Sequence, residues 1–125
     1  MAEASPSIAI VDDDPAVLKA LSRLLRSHAV RARTYGSGQE FLEALPAGLP
    51  DCLIVDLQMP EMNGLELQQH LVSNGIKIPT ILITAYGDVA LRDHRGLVAS
   101  LRKPLQEQAL FDAIDRAVGG SRSAG

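Results

Sequence analysis

The stretch Ile8-Ala-Ile-Val-Asp-Asp-Asp-Pro15 decides the fold. Its apolar half, Ile8 to Val11, is too short for a helix and β-branched enough for a buried strand. Its acidic half, Asp12, Asp13 and Asp14, then stands at the end of that strand, where carboxylates repel one another. An unscreened pair ~4 Å apart is unfavourable by about 4 kcal/mol at an effective dielectric of about 20. A chain keeps such a cluster when something positive sits in it. The arrangement recurs along the sequence: Cys52-Leu-Ile-Val55 runs into Asp56, Thr80-Ile-Leu-Ile83 runs into Thr84, and Leu97-Val-Ala-Ser-Leu101 ends just before Lys103-Pro104.

These runs are continuous rather than alternating, as expected of parallel strands covered on both faces. A weaker strand fits Val30 to Tyr35, where the alternation of Val30, Ala32 and Thr34 predicts an edge. Helical periodicities lie between the strands. Pro15 to His28 carries Val17, Leu18, Leu21, Leu24 and Leu25 on one stripe, with Asp14 or Asp13 as cap and Pro15 in the first turn. Ser37 to Leu45 opens with a capping-box pattern, Ser37-Gly-Gln-Glu40, and buries Phe41, Leu42 and Leu45. Gly64 to Ser73 carries Leu65, Leu67 and Leu71 and stops at Asn74-Gly75. Leu105 to Val118 carries Leu110, Phe111, Ile114 and Val118, with a stop expected at Gly119-Gly120. Between Gly87 and Arg95 the pattern supports only a short, charged helix. Strands alternating with helices of this length predict an α/β fold, a doubly wound parallel sheet of βαβ units.

The chain has 125 residues, enough for one domain; it is 46% hydrophobic and 22% charged, ordinary for a soluble globular protein. A net charge of −3 gives no basic footprint for nucleic acid or an anionic membrane. The single cysteine, Cys52, lies inside an apolar run and reads as a small buried hydrophobe, with no disulfide framework. There is no long apolar segment and no signal-peptide pattern, so a cytoplasmic domain is the expectation. The domain is expected over 1–120, with 121–125 a disordered tail or the start of a linker.

In open α/β sheets ligands bind outside the carboxyl ends of the strands. Asp12, Asp13, Asp56, Thr84 and Lys103 would all sit there, joining a hard-cation site, a nucleophilic carboxylate, a hydroxyl and an ammonium. Mg²⁺ is suited by one or two carboxylates, water and substrate phosphate. A carboxylate beside such a cation and a lysine can attack a phosphoryl group, because positive charge meets the transferring oxygens. Any one of these residues alone would read as a helix cap, a turn residue or a surface charge. His28, His70 and His94 show no metal-ligand spacing and read as surface or helix-end residues, and Glu61 and Glu66 as solvated. Tyr86 either shapes access to the phosphate or is an ordinary loop aromatic.

Four segments carry a resemblance: Ile10-Val-Asp-Asp-Asp-Pro15, Asp56-Leu-Gln-Met-Pro-Glu-Met-Asn-Gly64, Ile83-Thr-Ala-Tyr-Gly-Asp-Val89 and Lys103-Pro104. Over its length to about Val118 the chain resembles the receiver domain of bacterial two-component response regulators, of the transcription-regulator type. The resemblance implies a flavodoxin-like five-stranded sheet of order 2-1-3-4-5. It implies Asp56 as the phosphoacceptor, Asp13 as a direct Mg²⁺ ligand, Asp12 as a ligand through water, and the Gln58 backbone carbonyl as a further ligand. Thr84 would be the switch hydroxyl and Lys103 the phosphate-pairing amine, with Pro104 after a cis peptide and Gly64 at positive φ.

Two departures accompany the match. The family usually has an aromatic residue where this chain has Ser100, and the segment from Gly87 to Lys103 is short, the loss falling in the fourth helix. The leading expectation is a signalling switch phosphorylated by a sensor histidine kinase, not an enzyme beyond its own phosphorylation and slow dephosphorylation. One alternative is a slow aspartyl-phosphate hydrolase. Such enzymes commonly carry an aspartate as general acid where this chain has Gln58, which cannot transfer a proton that way. The other is a phosphate-independent interaction domain, against which the intact Asp13, Asp56, Thr84 and Lys103 argue. The output would be a DNA-binding domain on a longer chain or a separate protein. A phosphorylation-dependent homodimer stays open, and neither nucleic acid nor membrane is expected to bind this domain itself.

Overall fold

The structure is a computed structural model describing residues 6–85 and 94–122. Five parallel strands form one sheet: β1 (Ser7–Val11), β2 (Arg31–Tyr35), β3 (Cys52–Asp56), β4 (Thr80–Thr84) and β5 (Leu97–Arg102), in the order β2-β1-β3-β4-β5. The connecting helices are α1 (Pro15–Ser27), α2 (Gly38–Ala44), α3 (Gly64–Ser73) and α4 (Glu107–Arg122). The flavodoxin-like order matches expectation. The short helix expected between Gly87 and Arg95 falls largely on residues outside those described, as does Tyr86. Among the described residues no helix is long and apolar enough to cross a membrane.

Two cores explain why the central strands are apolar throughout. Ile8, Ile10, Cys52, Ile54, Ile81 and Ile83 face α1 and α4, meeting Leu21, Leu25, Leu110 and Ile114. Their neighbours Ala9, Val11, Leu53, Val55 and Leu82 face α2 and α3, meeting Phe41, Leu67 and Leu71. Each fully buried Leu, Ile or Phe contributes roughly 1.5–3 kcal/mol of transfer free energy. The strand period of two therefore loads both faces, and no polar face remains to alternate. Cys52 is fully buried, and burial pushes its thiol up to about 12, so it is chemically quiet. The edge strand β2 exposes Arg31, Arg33 and Thr34.

The local signals mostly hold, with informative exceptions. Asp14 caps α1, its side chain accepting from the Ala16 N–H at 2.9 Å, and Pro15 opens the helix. At α2 the Ser37 hydroxyl accepts from the Glu40 N–H at 3.1 Å, but the Glu40 carboxylate takes the Gly36 N–H instead of closing the box on Ser37. The reciprocated box stands at α3, where Asn63 and Glu66 exchange hydrogen bonds of 2.8 and 2.9 Å. Glu66, expected to be merely solvated, is thus the capping partner. Gly119-Gly120 do not stop α4, which continues to Arg122. A glycine stops a helix by taking the left-handed conformation, and Gly119 does not adopt it. A helical glycine costs only about 1 kcal/mol relative to Ala, which burial of Ala117 and Val118 just before it offsets.

Candidate functional site

The strand ends bring the acidic residues together through ordinary backbone bonding. Asp12 follows β1, its N–H donating to the Tyr35 carbonyl at 3.1 Å, and its Oδ1 accepts from the Asp14 N–H at 2.8 Å. That turn holds Asp12 inward at 2% exposure and leaves Asp13 exposed at the rim. Asp56 ends β3 at 3% exposure. Asp12, Asp13 and Asp56 each place one carboxylate oxygen so that all lie within 4.8 Å of one another.

Two further strands complete the site. Thr84 ends β4, buried, and its carbonyl accepts from the Lys103 N–H at 2.9 Å. Lys103 directly follows β5 and precedes a cis peptide to Pro104, as the resemblance implied. Its ammonium stands 3.6 Å from Asp56 Oδ1, an ion pair too long to be a hydrogen bond. All five residues singled out at strand ends are thereby brought together.

Burial dominates the electrostatics. It raises the Asp56 carboxyl above its ordinary value, opposed by the Lys103 charge and by the Gln58 N–H bonded to the carboxylate. Asp12 is raised chiefly by burial too, and by the charge of Asp56, with the Asp14 N–H opposing. Asp12 Oδ2 and Asp56 Oδ1 are buried and have no hydrogen-bond partner among the described residues. Two buried, unpartnered carboxylate oxygens beside a third carboxylate form a donor set suited to a hard divalent cation, which would supply the missing partner to both. The residues present therefore fit Mg²⁺.

The loop after Asp56 corrects one expectation. Gly64 is not at positive φ; Glu61 is, at +67°. Gly64 is required for a different reason: a Cβ there would lie 2.7 Å from the Asp56 carbonyl oxygen and 2.8 Å from Leu82 Cδ1. The glycine lets α3 start against the backbone of Asp56. Gln58 sits exposed on this loop, and its side-chain Oε1 accepts from the Ala85 N–H at 3.1 Å, joining the β3 and β4 exits. Nothing in the sequence signals that bond, because an amide in an exposed loop has many equivalent partners. Ser100 lies half-buried on β5 opposite Leu82, on the sheet face turned toward α3. His28 caps the end of α1, lies against Phe111 with ring centroids 4.0 Å apart and contacts Glu107 at 2.9 Å, and it is not among the residues of the acidic cluster.

Comparison with known proteins gives one consistent result. The family model for the response regulator receiver domain matches residues 8–115. The response regulator protein TmoT of Ectopseudomonas mendocina is 40% identical over 114 residues, covering 89% of this chain and 52% of the relative. TodT of Pseudomonas putida is 38% identical over 121 residues, covering 94% of this chain and 53% of its own. The chain thus spans about half the length of the curated relatives it matches. Among solved structures, a response regulator receiver protein from Burkholderia phymatum is 40% identical with a TM-score of 0.76, covering 92% of this chain and 96% of that one.

Proposed function

The chain belongs to the receiver domains of two-component response regulators, and from that premise we propose that it is a phospho-acceptor switch, charged on Asp56 by a sensor histidine kinase. The single observation that carries this reading is the buried Asp56 carboxylate with an unpartnered oxygen 3.6 Å from the Lys103 ammonium. In the proposed transfer an Asp56 oxygen attacks phosphorus, the bond to the donor nitrogen breaks, and the electron pair leaves with the donor imidazole. Lys103 meets the charge on the transferring oxygens, and the Thr84 hydroxyl donates to one of them in the product. The Gln58 N–H and Lys103 favour the ionised carboxylate against the burial that opposes it. Mg²⁺ would be held by Asp12, Asp13, Asp56 and the Gln58 carbonyl and, together with Lys103, would offset part of the negative charge of the three carboxylates and the incoming phosphoryl group.

Return to the resting state is hydrolysis, with water attacking the same phosphorus. Gln58 offers no titratable group to activate that water, so the acyl phosphate is expected to be long-lived. Because the matched relatives are about twice this length, the proposed output is a further domain on the same polypeptide, in the cytoplasm. The test is intact-mass measurement after incubation with acetyl phosphate and Mg²⁺. One added phosphoryl group is expected; an unchanged mass under conditions that phosphorylate a related receiver would contradict the reading.

A further inference from the structure

We propose that the Gln58 side chain is a latch: it holds the exit of β4 in the resting position and lets go when Asp56 is phosphorylated. The inference rests on the function proposed above. Gln58 touches both sides of the switch. It follows Asp56 by two residues, its backbone N–H favouring the ionised form of that carboxyl, and its side-chain Oε1 accepts from the N–H of Ala85, the residue directly after Thr84. One residue thus links Asp56 to the segment that carries the Thr84 hydroxyl.

The Gln58–Ala85 bond is neutral and solvent-exposed, so it biases the resting state by a modest factor, about two- to tenfold in an equilibrium constant. Phosphorylation replaces the Asp56 carboxylate by an acyl phosphate that carries roughly −1.5 to −2 charges and three strong acceptor oxygens. Charged acceptors hold N–H groups about twice as strongly as an amide oxygen does. Ala85 therefore exchanges its neutral partner for the phosphoryl group, and Thr84 is carried with it. Since the latch exists only in the resting state, it opposes the active state by its full strength. Glutamine suits the role: asparagine is one methylene shorter, and glutamate would set a further negative charge beside the phosphoryl group.

The experiment uses the full chain and Gln58→Met, which keeps the side chain's length and removes the acceptor while leaving the backbone N–H and carbonyl in place. Amide exchange at Ala85 is measured without and with beryllofluoride at saturating Mg²⁺, together with the beryllofluoride midpoint. The latch predicts resting exchange about two- to tenfold faster in Gln58→Met, a midpoint about two- to tenfold lower, and equal exchange once beryllofluoride is bound. The sign separates this from a merely structural role, in which loosening the loop would weaken beryllofluoride binding and speed exchange in both states. Unchanged resting exchange, or a midpoint that is unchanged or higher, overturns the latch while wild-type binding leaves the proposed function standing. A wild-type chain that binds no beryllofluoride overturns both.

Discussion

Lys103 and Asp56 face each other across 3.6 Å, and the carboxylate oxygen nearest the ammonium, Oδ1, makes no hydrogen bond among the described residues. The pair is unequal. The Lys103 side chain is 35% exposed and that of Asp56 only 4%, so the lysine keeps much of its hydration while the aspartate has lost its own. Such a contact adds little net stability, because screening on the lysine side weakens it. Its consequence is chemical: a buried carboxylate oxygen without a hydrogen bond among the described residues stands beside the Lys103 ammonium.

The first prediction follows from the burial that raises the carboxyls of Asp12 and Asp56 above 3.8. Because the folded chain binds these protons more tightly than the unfolded chain, their contribution to stability is full below about pH 4 and is lost as pH rises through the folded values. Asp12→Asn keeps an oxygen for the Asp14 N–H and removes the buried charge. At pH 7 without metal the variant is expected to be more stable than the wild type, with no gain near pH 4. Mg²⁺ should stabilise the wild type and do far less for Asp12→Asn. Urea unfolding at both pH values, with chelator and with Mg²⁺, reads all of this; a variant less stable at pH 7 contradicts it.

A second prediction contrasts two glycines. Gly64→Ala forces a Cβ to 2.7 Å from the Asp56 carbonyl oxygen, against backbone that cannot yield. A loss of about 1–3 kcal/mol is expected, with impaired phosphoryl uptake, since the displaced backbone belongs to Asp56, the proposed acceptor. Gly119→Ala meets nothing within 4 Å and lies inside α4, so it should stabilise by about 0.5–1 kcal/mol. Chemical denaturation of the two variants should move in opposite directions.

What the sequence made legible was what depends on neighbours in the chain. Ile8–Val11, Cys52–Val55 and Thr80–Ile83 announced strands by composition, and Asp12, Asp56, Thr84 and Lys103 fell at strand ends because the apolar runs stop there. Asn74-Gly75 marked the end of α3 for the same local reason. What was missed depends on distant contacts. The need for Gly64 lies in its approach to Asp56 and Leu82, not in its own φ. Gln58 finds Ala85, and the buried Gln68 on α3 finds the Arg95 carbonyl, only after the sheet is assembled. Gly119-Gly120 read as a stop because the pattern carries no information about α4 packing on the sheet.

A third prediction concerns Ser100. It faces Leu82 across the β4–β5 pair, and two residues on, Arg102 pairs with Thr84. A hydroxymethyl group there fills little of the space beside Thr84, so movement of Thr84 has a weak mechanical link to β5. Beryllofluoride is expected to increase amide protection near Ala85 while Val98 to Leu101 and α4 change little. Ser100→Phe should extend protection along β5. Comparable protection of β5 and α4 in the wild type, or no difference in the variant, would contradict the weak link.

The central claim is that Asp56 alone accepts the phosphoryl group, and locating that group in the sequence tests it most directly. The chain is incubated with acetyl phosphate and Mg²⁺, reduced with borohydride so that an aspartyl phosphate becomes homoserine, digested and sequenced by mass spectrometry. Conversion is predicted at Asp56 only, and Asp56→Asn is predicted to show none at any position. Conversion at Asp12 or Asp13 in the wild type, or phosphoryl uptake by Asp56→Asn at the wild-type rate, would contradict the account.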